Sequence, residues 1–148
     1  MLAALEQAKK AALSNEVPVG AVLVLDGKII AEGHNLTIFN NDPTAHAEVV
    51  AIREACRIIG NYRLTRCELY VTLEPCCMCA GTIMQARLQK IYFGAYDRKS
   101  GVASSDLNLF DDRRLNHQTT CVGGIMADSS KRLLQKFFLN KRPPSHEI

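Results

Sequence analysis

The sequence has 148 residues, and its 47% hydrophobic and 22% charged side chains are typical of a globular domain with a hydrophobic core. A net charge of +3 is too small to indicate nucleic-acid binding by itself. No apolar run approaches the length of a membrane span, and the N-terminal segment is charged where a signal peptide needs an apolar core. We therefore expect one domain over residues 1–148 in the cytoplasm, where cysteines stay reduced.

The first half of the chain predicts two helices around a β-hairpin. The opening helix has apolar residues at helical spacing, namely Leu2, Leu5, Ala8, Ala12 and Leu13. The segment VGAVLVL is typical of a buried strand, Asp26-Gly27 of a tight turn, and KIIAEG of the returning strand. The second helix follows a polar loop, with Asp42 or Thr44 as its N-cap and Gly60 at its end.

The second half predicts further strands that alternate with helices. The segment ELYVTL is a predicted strand, and a helix is expected from Pro75, which lacks an amide hydrogen, to about Ala86. KIYFGAY is a predicted strand, TTCVGG a weaker one, and the last helix is expected from about Ser129. This order predicts an α/β fold, a three-layer α/β/α sandwich with a five-stranded mixed sheet.

The segment EPCCMC, residues 74–79, holds three of the six cysteines. If a helix begins near Pro75, Cys76 and Cys79 share one face, because residues three apart are neighbours on a helix. Cys77 points elsewhere, and we expect it to be a small buried residue. A Cys-x-x-Cys pair fits half a zinc finger, a redox pair or a catalytic zinc site, but the chain has no second such pair for a structural site of four ligands.

His46 and Glu48 complete a catalytic zinc pattern. His-x-Glu followed by Pro-Cys-x-x-Cys is the signature of zinc-dependent nucleobase deaminases. We expect His46, Cys76 and Cys79 to bind one zinc ion per chain and to leave a fourth position for water. Glu48 is then the predicted catalytic residue, which carries protons between water and substrate. Three other histidines are weaker candidates for a fourth ligand: His34, His117 and His146.

A longer series of motifs points to a narrower family. In chain order they are EVPVGAVLV, GHN, DPTAHAE, NYRL, LYVTLEPCCMCAGTI, GAYDRKSG, Asn116-His117 and a closing FF among basic residues. On these motifs the chain resembles bacterial tRNA-specific adenosine deaminases of the cytidine deaminase superfamily. The resemblance implies a cytidine deaminase-like fold, conversion of adenosine to inosine at the tRNA wobble position, and a homodimer with its active site near the interface.

The resemblance also implies which residues bind the substrate, a tRNA anticodon stem-loop. Asn35 matches a pocket asparagine that binds the base, and Asp97 and Lys99 match a loop that touches the RNA backbone or ribose. In the basic, aromatic C-terminal segment, Phe138 and Arg142 are the expected RNA contacts. From the residues alone, Asn35 also suits a turn, and the charged residues also suit a solvated loop or helix face.

Two other functions remain open at this stage. The same zinc chemistry serves deaminases of free cytosine, cytidine or guanine. A zinc-binding module without enzymatic activity is also conceivable, although Glu48 and the absence of an obvious fourth ligand argue against it.

Overall fold

A computed structural model of the chain describes residues 1–103 and 107–141. The helices are α1 (Leu2–Leu13), α2 (Ala47–Ile59), α3 (Cys77–Gln85) and α4 (Ala127–Lys141), with a short 3-10 turn at Leu109–Asp111. The strands are β1 (Gly20–Leu25), β2 (Lys28–His34), β3 (Cys67–Leu73), β4 (Lys90–Ala95) and β5 (Thr120–Val122). Within these described residues, no helix has the length and apolar character needed to cross a membrane.

The five strands form one mixed sheet in the order β2-β1-β3-β4-β5. Strand β1 is antiparallel to both β2 and β3, whereas the β3–β4 and β4–β5 pairs are parallel. The β1–β2 hairpin turns at Asp26 and Gly27, whose φ angles of 51° and 76° are those of a type I′ turn. The predicted five-stranded mixed sheet is confirmed.

Helices cover both faces of the sheet, which confirms the three-layer prediction. Gly20 faces α1 so closely that a Cβ there would overlap the helix backbone at Ala4 and Ala8. Gly33, on the other face, meets the backbone of α2 at Ala47 and Ala51 in the same way. Helix α4 packs beside α1, and α3 packs beside α2. The main hydrophobic core lies between the sheet and the α2–α3 layer.

Some helix details differ from the sequence prediction. Leu2 and Leu13 of α1 are exposed, because the buried face is formed instead by Ala4, Leu5, Ala8 and Ala11. Helix α4 begins at Ala127, two residues before the predicted start. Gly60 ends α2 in the left-handed conformation, at a φ of 75°, as expected.

The starts of α2 and α3 also lie later than predicted. Helix α2 has His46 as its N-cap, since Asp42 and Thr44 bond to each other within the preceding loop. Helix α3 has Cys76 as its N-cap. Both shifts move a predicted zinc ligand to the position where a helix begins.

Candidate metal and active site

Two helix N-termini bring the predicted metal ligands together. His46 is the N-cap of α2 and Cys76 the N-cap of α3, and both have extended backbone conformations. Cys79 lies in the first turn of α3. The His46 Nδ1 atom is 3.6 Å from the Cys76 Sγ atom and 3.5 Å from the Cys79 Sγ atom. The spacing of the cysteines within EPCCMC therefore places the two thiols near each other. The fold brings the imidazole of His46, 30 residues before Cys76, to the same point.

The donor atoms of His46, Cys76 and Cys79 all lie within 4.8 Å of one another. In the described part of the chain, this is the only cluster of three or more His, Cys, Asp or Glu side chains that could hold a metal ion. One imidazole nitrogen and two thiolates suit zinc, and three protein ligands leave a position for water or substrate, as in catalytic zinc sites. The residues present therefore fit a zinc ion.

A hydrogen bond between the two thiols shifts their pKa values in opposite directions. Hydrogen bonding by Cys79 lowers the pKa of Cys76 to about 4, and His46 and the backbone amide of Cys79 act in the same direction. The same bond, together with burial, raises the pKa of Cys79. The bond to Cys76 raises the pKa of His46. One thiolate is thus already favoured at the start of α3, where helix amides and the helix dipole stabilise negative charge.

Glu48 lies in the first turn of α2, beside these candidate ligands, and is almost completely buried. Burial is the main cause that raises the pKa of its carboxyl group, while hydrogen bonding with its own backbone amide and with the Cys79 thiol opposes the rise. A raised pKa favours the protonated form of the carboxyl group, which can then release a proton as well as accept one. Its position makes Glu48 a candidate proton carrier next to the metal cluster.

The cluster opens into a cavity of about 250 Å³. The lining residues come from the segment before β1, the segments after β2, β3 and β4, the ends of β3 and α2 nearest the cavity, and the N-cap of α3: Val17, Val19, Asn35, Thr37, His46, Glu48, Leu73, Glu74, Cys76, Asp97 and Ser100. A larger concavity of about 790 Å³ lies by the Asp26–Gly27 turn, at the other end of the strands, and contains none of the metal-binding side chains. We therefore assign the chemistry to the smaller cavity.

Asn35 has a structural contact as well as a place in this cavity. Its Oδ1 atom accepts a hydrogen bond of 2.9 Å from the backbone amide of Ala47, the first residue of α2. The first amides of a helix have no partner within the helix, and Asn35 satisfies the one at Ala47, while the N-cap His46 makes no side-chain cap bond. This contact fixes the start of α2, and hence the position of His46.

Glu74 organises the loop after β4. One of its carboxylate oxygens accepts a 3.0 Å bond from the Asp97 amide, and the other accepts a 3.1 Å bond from the Ala103 amide. Gly101 is needed between them, because a Cβ at that position would overlap the Glu74 carboxylate. These two amides belong to a loop 23 to 29 residues later in the chain, so Glu74 ties the end of β3 to the loop after β4.

Asp97 and Lys99 occupy that loop but differ in their relation to the cavity. Asp97 lines it, and its Oδ1 atom accepts 3.1 Å bonds from the amides of Lys99 and Ser100. The side chain of Lys99 is exposed and is not part of the cavity lining. Their predicted contacts with substrate remain predictions.

Of the other predicted site residues, Phe138 is exposed on α4 and does not line the cavity, whereas Arg142 and His146 lie outside the described residues. Two histidines have other partners: His34 contacts Gln7, and His117 contacts the carbonyl of Leu88.

The expectation that Cys77 is buried is wrong. Its side chain is exposed at the first position of α3. The prediction started α3 near Pro75 and turned Cys77 away from Cys76 and Cys79, toward the core or the neighbouring helix. The helix begins two residues later, at Cys77, and the side chain of this first residue is exposed to solvent.

Sequence patterns did not reveal Val17, Thr37 and Ser100 as residues of the cavity. Each lies in a loop, where hydrophobic periodicity carries no information. Two of these residues lie within family motifs, Val17 in EVPVG and Ser100 in GAYDRKSG, and these motifs were the only sequence feature that could have indicated them.

Residues 1–95 match the protein family described as the cytidine and deoxycytidylate deaminase zinc-binding region. A tRNA-specific adenosine deaminase from Haemophilus influenzae is 49% identical over 94% of this chain and 81% of its own length. A solved structure from work on A-to-I editing by tRNA:A34 deaminases at the wobble position of transfer RNA is 45% identical, with a TM-score of 0.88 over 90% of this chain and 97% of that chain. Guanine deaminase from Bacillus subtilis is 48% identical, but over 63% of this chain and 60% of its own, with a TM-score of 0.61.

Proposed function

This chain belongs to the cytidine and deoxycytidylate deaminase family, together with tRNA-specific adenosine deaminases, and we propose that it converts adenosine to inosine at the wobble position of a tRNA. The observation that carries the proposal is the cluster of His46, Cys76 and Cys79 beside buried Glu48 in one small cavity. The reaction consumes water and releases ammonia.

We propose that His46, Cys76 and Cys79 hold the zinc ion of this family. When bound, zinc supplies Lewis acidity, which makes water a usable nucleophile at neutral pH. Glu48 accepts a proton from the attacking water and delivers it to N1 of adenine, while the oxygen bonds to C6. Glu48 then takes the proton of the new hydroxyl group on C6 and passes it to the amine, which leaves as ammonia while the C6 carbonyl of inosine forms. One buried carboxyl group thus serves each proton transfer.

The remaining cavity residues position the base. Asn35, held by the amide of Ala47, is proposed to bind the adenine edge, and Asp97 the ribose or backbone at the cavity mouth. A cavity of about 250 Å³ is small even for a ligand pocket, so it suits a single base rather than paired RNA. The target must therefore leave its stack, which costs least in an unpaired loop.

Basic residues of α4 are proposed to hold the anticodon stem-loop. Lys141 packs 5.1 Å from the ring centre of Phe137, and both residues share a groove with Leu13 and Asn15 at the end of α1. The chain continues from there to Val17, which lines the cavity. The basic end of α4 therefore lies on the side of the molecule that holds the cavity, and Lys99, Phe138 and Arg142 are proposed as further RNA contacts.

We also propose that residues 1–148 form one catalytic domain, that two chains pair with their active sites near the interface, and that the enzyme acts in the cytoplasm. The similarity to tRNA-specific deaminases over most of the chain supports these points. Sedimentation of the purified protein tests the dimer.

Deamination of a free base is the second candidate, favoured by the 48% identity to a guanine deaminase over 63% of the chain. Steady-state assays that compare an anticodon stem-loop with free adenosine, cytidine, cytosine and guanine distinguish the two. We expect kcat/KM to be far higher for the stem-loop. An equal or higher value for any free base or nucleoside would overturn the proposal.

A further inference from the structure

A tight turn after β2, residues 37–41, presents two apolar side chains to solvent. Ile38 is 63% exposed and Phe39 is 78% exposed. Hydrogen bonds from the Asn40 amide to the Leu36 carbonyl and from the Asn41 amide to the Ile38 carbonyl close the turn, and Asn41 adopts a φ of 48°. Single exposed apolar residues are common, but two in succession at the tip of an ordered turn are less so.

A buried carboxylate holds this turn. Glu16 is 1% exposed, and its Oε1 atom accepts hydrogen bonds of 2.9 Å from the Ile38 amide and 2.8 Å from the Phe39 amide. Its Oε2 atom accepts a 3.2 Å bond from the Thr37 hydroxyl. Burying a charged group is costly unless its hydrogen bonds are made, and these three bonds to Glu16 all fix the turn. The backbone beneath Ile38 and Phe39 is therefore held in place before any ligand binds.

The turn stands at the rim of the active-site cavity. Asn35 and Thr37 at its start both line the cavity, and the amide of Leu36 bonds to the carbonyl of Ala45, next to His46. Both ends of the loop that carries Phe39 thus meet the cavity. A side chain exposed at its tip is in reach of what enters the cavity mouth.

We propose that the ring of Phe39, with Ile38 beside it, stacks on the unpaired nucleotide adjacent to the target adenosine. This inference rests on the proposed function. When a base leaves its stack to enter a pocket, its neighbour loses a stacking partner. An exposed aromatic side chain replaces that partner without reading the sequence. The pre-ordered turn reduces the entropy cost of forming the contact.

The test removes the ring of Phe39, then the neighbouring base of the RNA, and then both. Phe39→Ala is measured on an intact anticodon stem-loop, and the parent protein on stem-loops with an abasic site on the 5′ or the 3′ side of the target. Stacking on one base contributes roughly 5- to 150-fold to binding. We expect Phe39→Ala and one of the two abasic substrates each to raise KM within that range. Combining the two should add little further loss, because they remove the same contact.

Two variants serve as controls. Phe39→Trp keeps an aromatic face and should retain a KM close to that of the parent. Tyr62→Ala removes another exposed ring, beyond the far end of α2, and should leave KM unchanged.

The outcomes separate this inference from the proposed function. An unchanged KM for Phe39→Ala, or full additivity with both abasic sites, overturns the stacking contact while deamination of RNA stands. A loss of dimer in sedimentation, with equal losses on all substrates, overturns it in favour of a contact with a second copy of the chain. Failure of the parent protein to prefer the stem-loop over free adenosine would instead defeat the proposed function.

Discussion

At the scale of single residues, the site depends on which side chain occupies each position of two helix starts. His46 and Cys76 are N-caps, so their side chains project beyond the helix ends, and Cys79 follows within one turn. Glu48 lies near the ligands, but its carboxylate does not belong to the cluster of possible ligand atoms. The proposed separation of metal binding from proton transfer leads to two predictions.

Zinc content should depend on Cys79 and not on Cys77. Cys79→Ser is expected to lose zinc, because it removes one of two thiolates that hold the ion. Cys77→Ala is a matched control, since Cys77 lies two residues away but is exposed. Metal analysis of the purified proteins measures both. Equal zinc loss in the two variants would contradict the ligand assignment.

Glu48→Gln should separate binding from catalysis. The amide has nearly the same shape but does not accept a proton at neutral pH, so zinc content and RNA affinity should persist while kcat falls by about 10²–10⁴-fold. Single-turnover assays and metal analysis check this together. Turnover within tenfold of the parent would move the proton-transfer role to another group.

At the scale of secondary structure elements, contacts between strand β2 and helix α2 position the site. Asn35 follows β2 and bonds to the first amide of α2, and Gly33 allows the helix to approach the sheet. Glu74 follows β3 and binds two amides of the loop after β4. Side chains that directly follow the strands thus tie the elements together near the cavity.

Asn35→Ala should weaken both stability and substrate binding. The buried amide of Ala47 loses its acceptor, which is expected to lower the free energy of unfolding by about 1–3 kcal/mol. Asn40→Ala is the control, because Asn40 is exposed in the following turn. Urea denaturation gives the stability and steady-state assays give KM. If KM rises while stability is unchanged, the capping role would be refuted.

Two glycine substitutions should have opposite effects. Gly33→Ala places a Cβ into the backbone of α2, and the resulting overpacking is expected to cost about 1–3 kcal/mol. Gly81 lies inside α3 with no atom near an added Cβ, so Gly81→Ala should stabilise the protein by about 0.5–1 kcal/mol. Thermal unfolding gives the melting temperature of both variants. Equal shifts in melting temperature would show that the close approach of α2 to Gly33 does not require a glycine.

At the scale of the whole molecule, charge is nearly balanced, with 18 basic and 15 acidic residues, but part of the basic charge is concentrated on one helix. Lys131, Lys136 and Lys141 are exposed along α4. The local excess, more than the net charge of +3, is what an RNA phosphate would meet. A salt-dependent affinity for RNA follows.

RNA binding should weaken as salt rises, with a log–log slope of roughly 0.7 for each phosphate neutralised on a single strand. Lys141→Ala is expected to reduce this slope by about 0.7, the contribution of one neutralised phosphate. Lys90→Ala is the control, because Lys90 also lies over an aromatic ring, that of Tyr92, but at the strand ends remote from the cavity. Fluorescence titrations over a range of salt measure both slopes. An equal reduction for Lys90 would refute a specific role for α4.

The sequence alone determined the order of elements, the mixed sheet and the residues of the zinc motif. These features follow local rules: hydrophobic periodicity, the Asp26-Gly27 turn, the left-handed end at Gly60 and the three-residue spacing of Cys76 and Cys79. The resemblance carried by longer motifs indicated the zinc deaminase family, which the comparisons confirm. The proposed RNA contacts of Asp97, Lys99, Phe138 and Arg142 stay predictions.

Only the tertiary structure decided where the buried polar side chains find their partners. Glu16 binds amides more than 20 residues away, Asn35 one that is 12 residues away, and Glu74 amides up to 29 residues away. Such pairs leave no periodic trace in the sequence, because each forms when strands and loops distant along the chain pack together. A tertiary contact also lies at the start of α3. Cys76 forms an isolated β-bridge with Gly101 and caps the helix, and Cys77 is the first helical residue and is exposed.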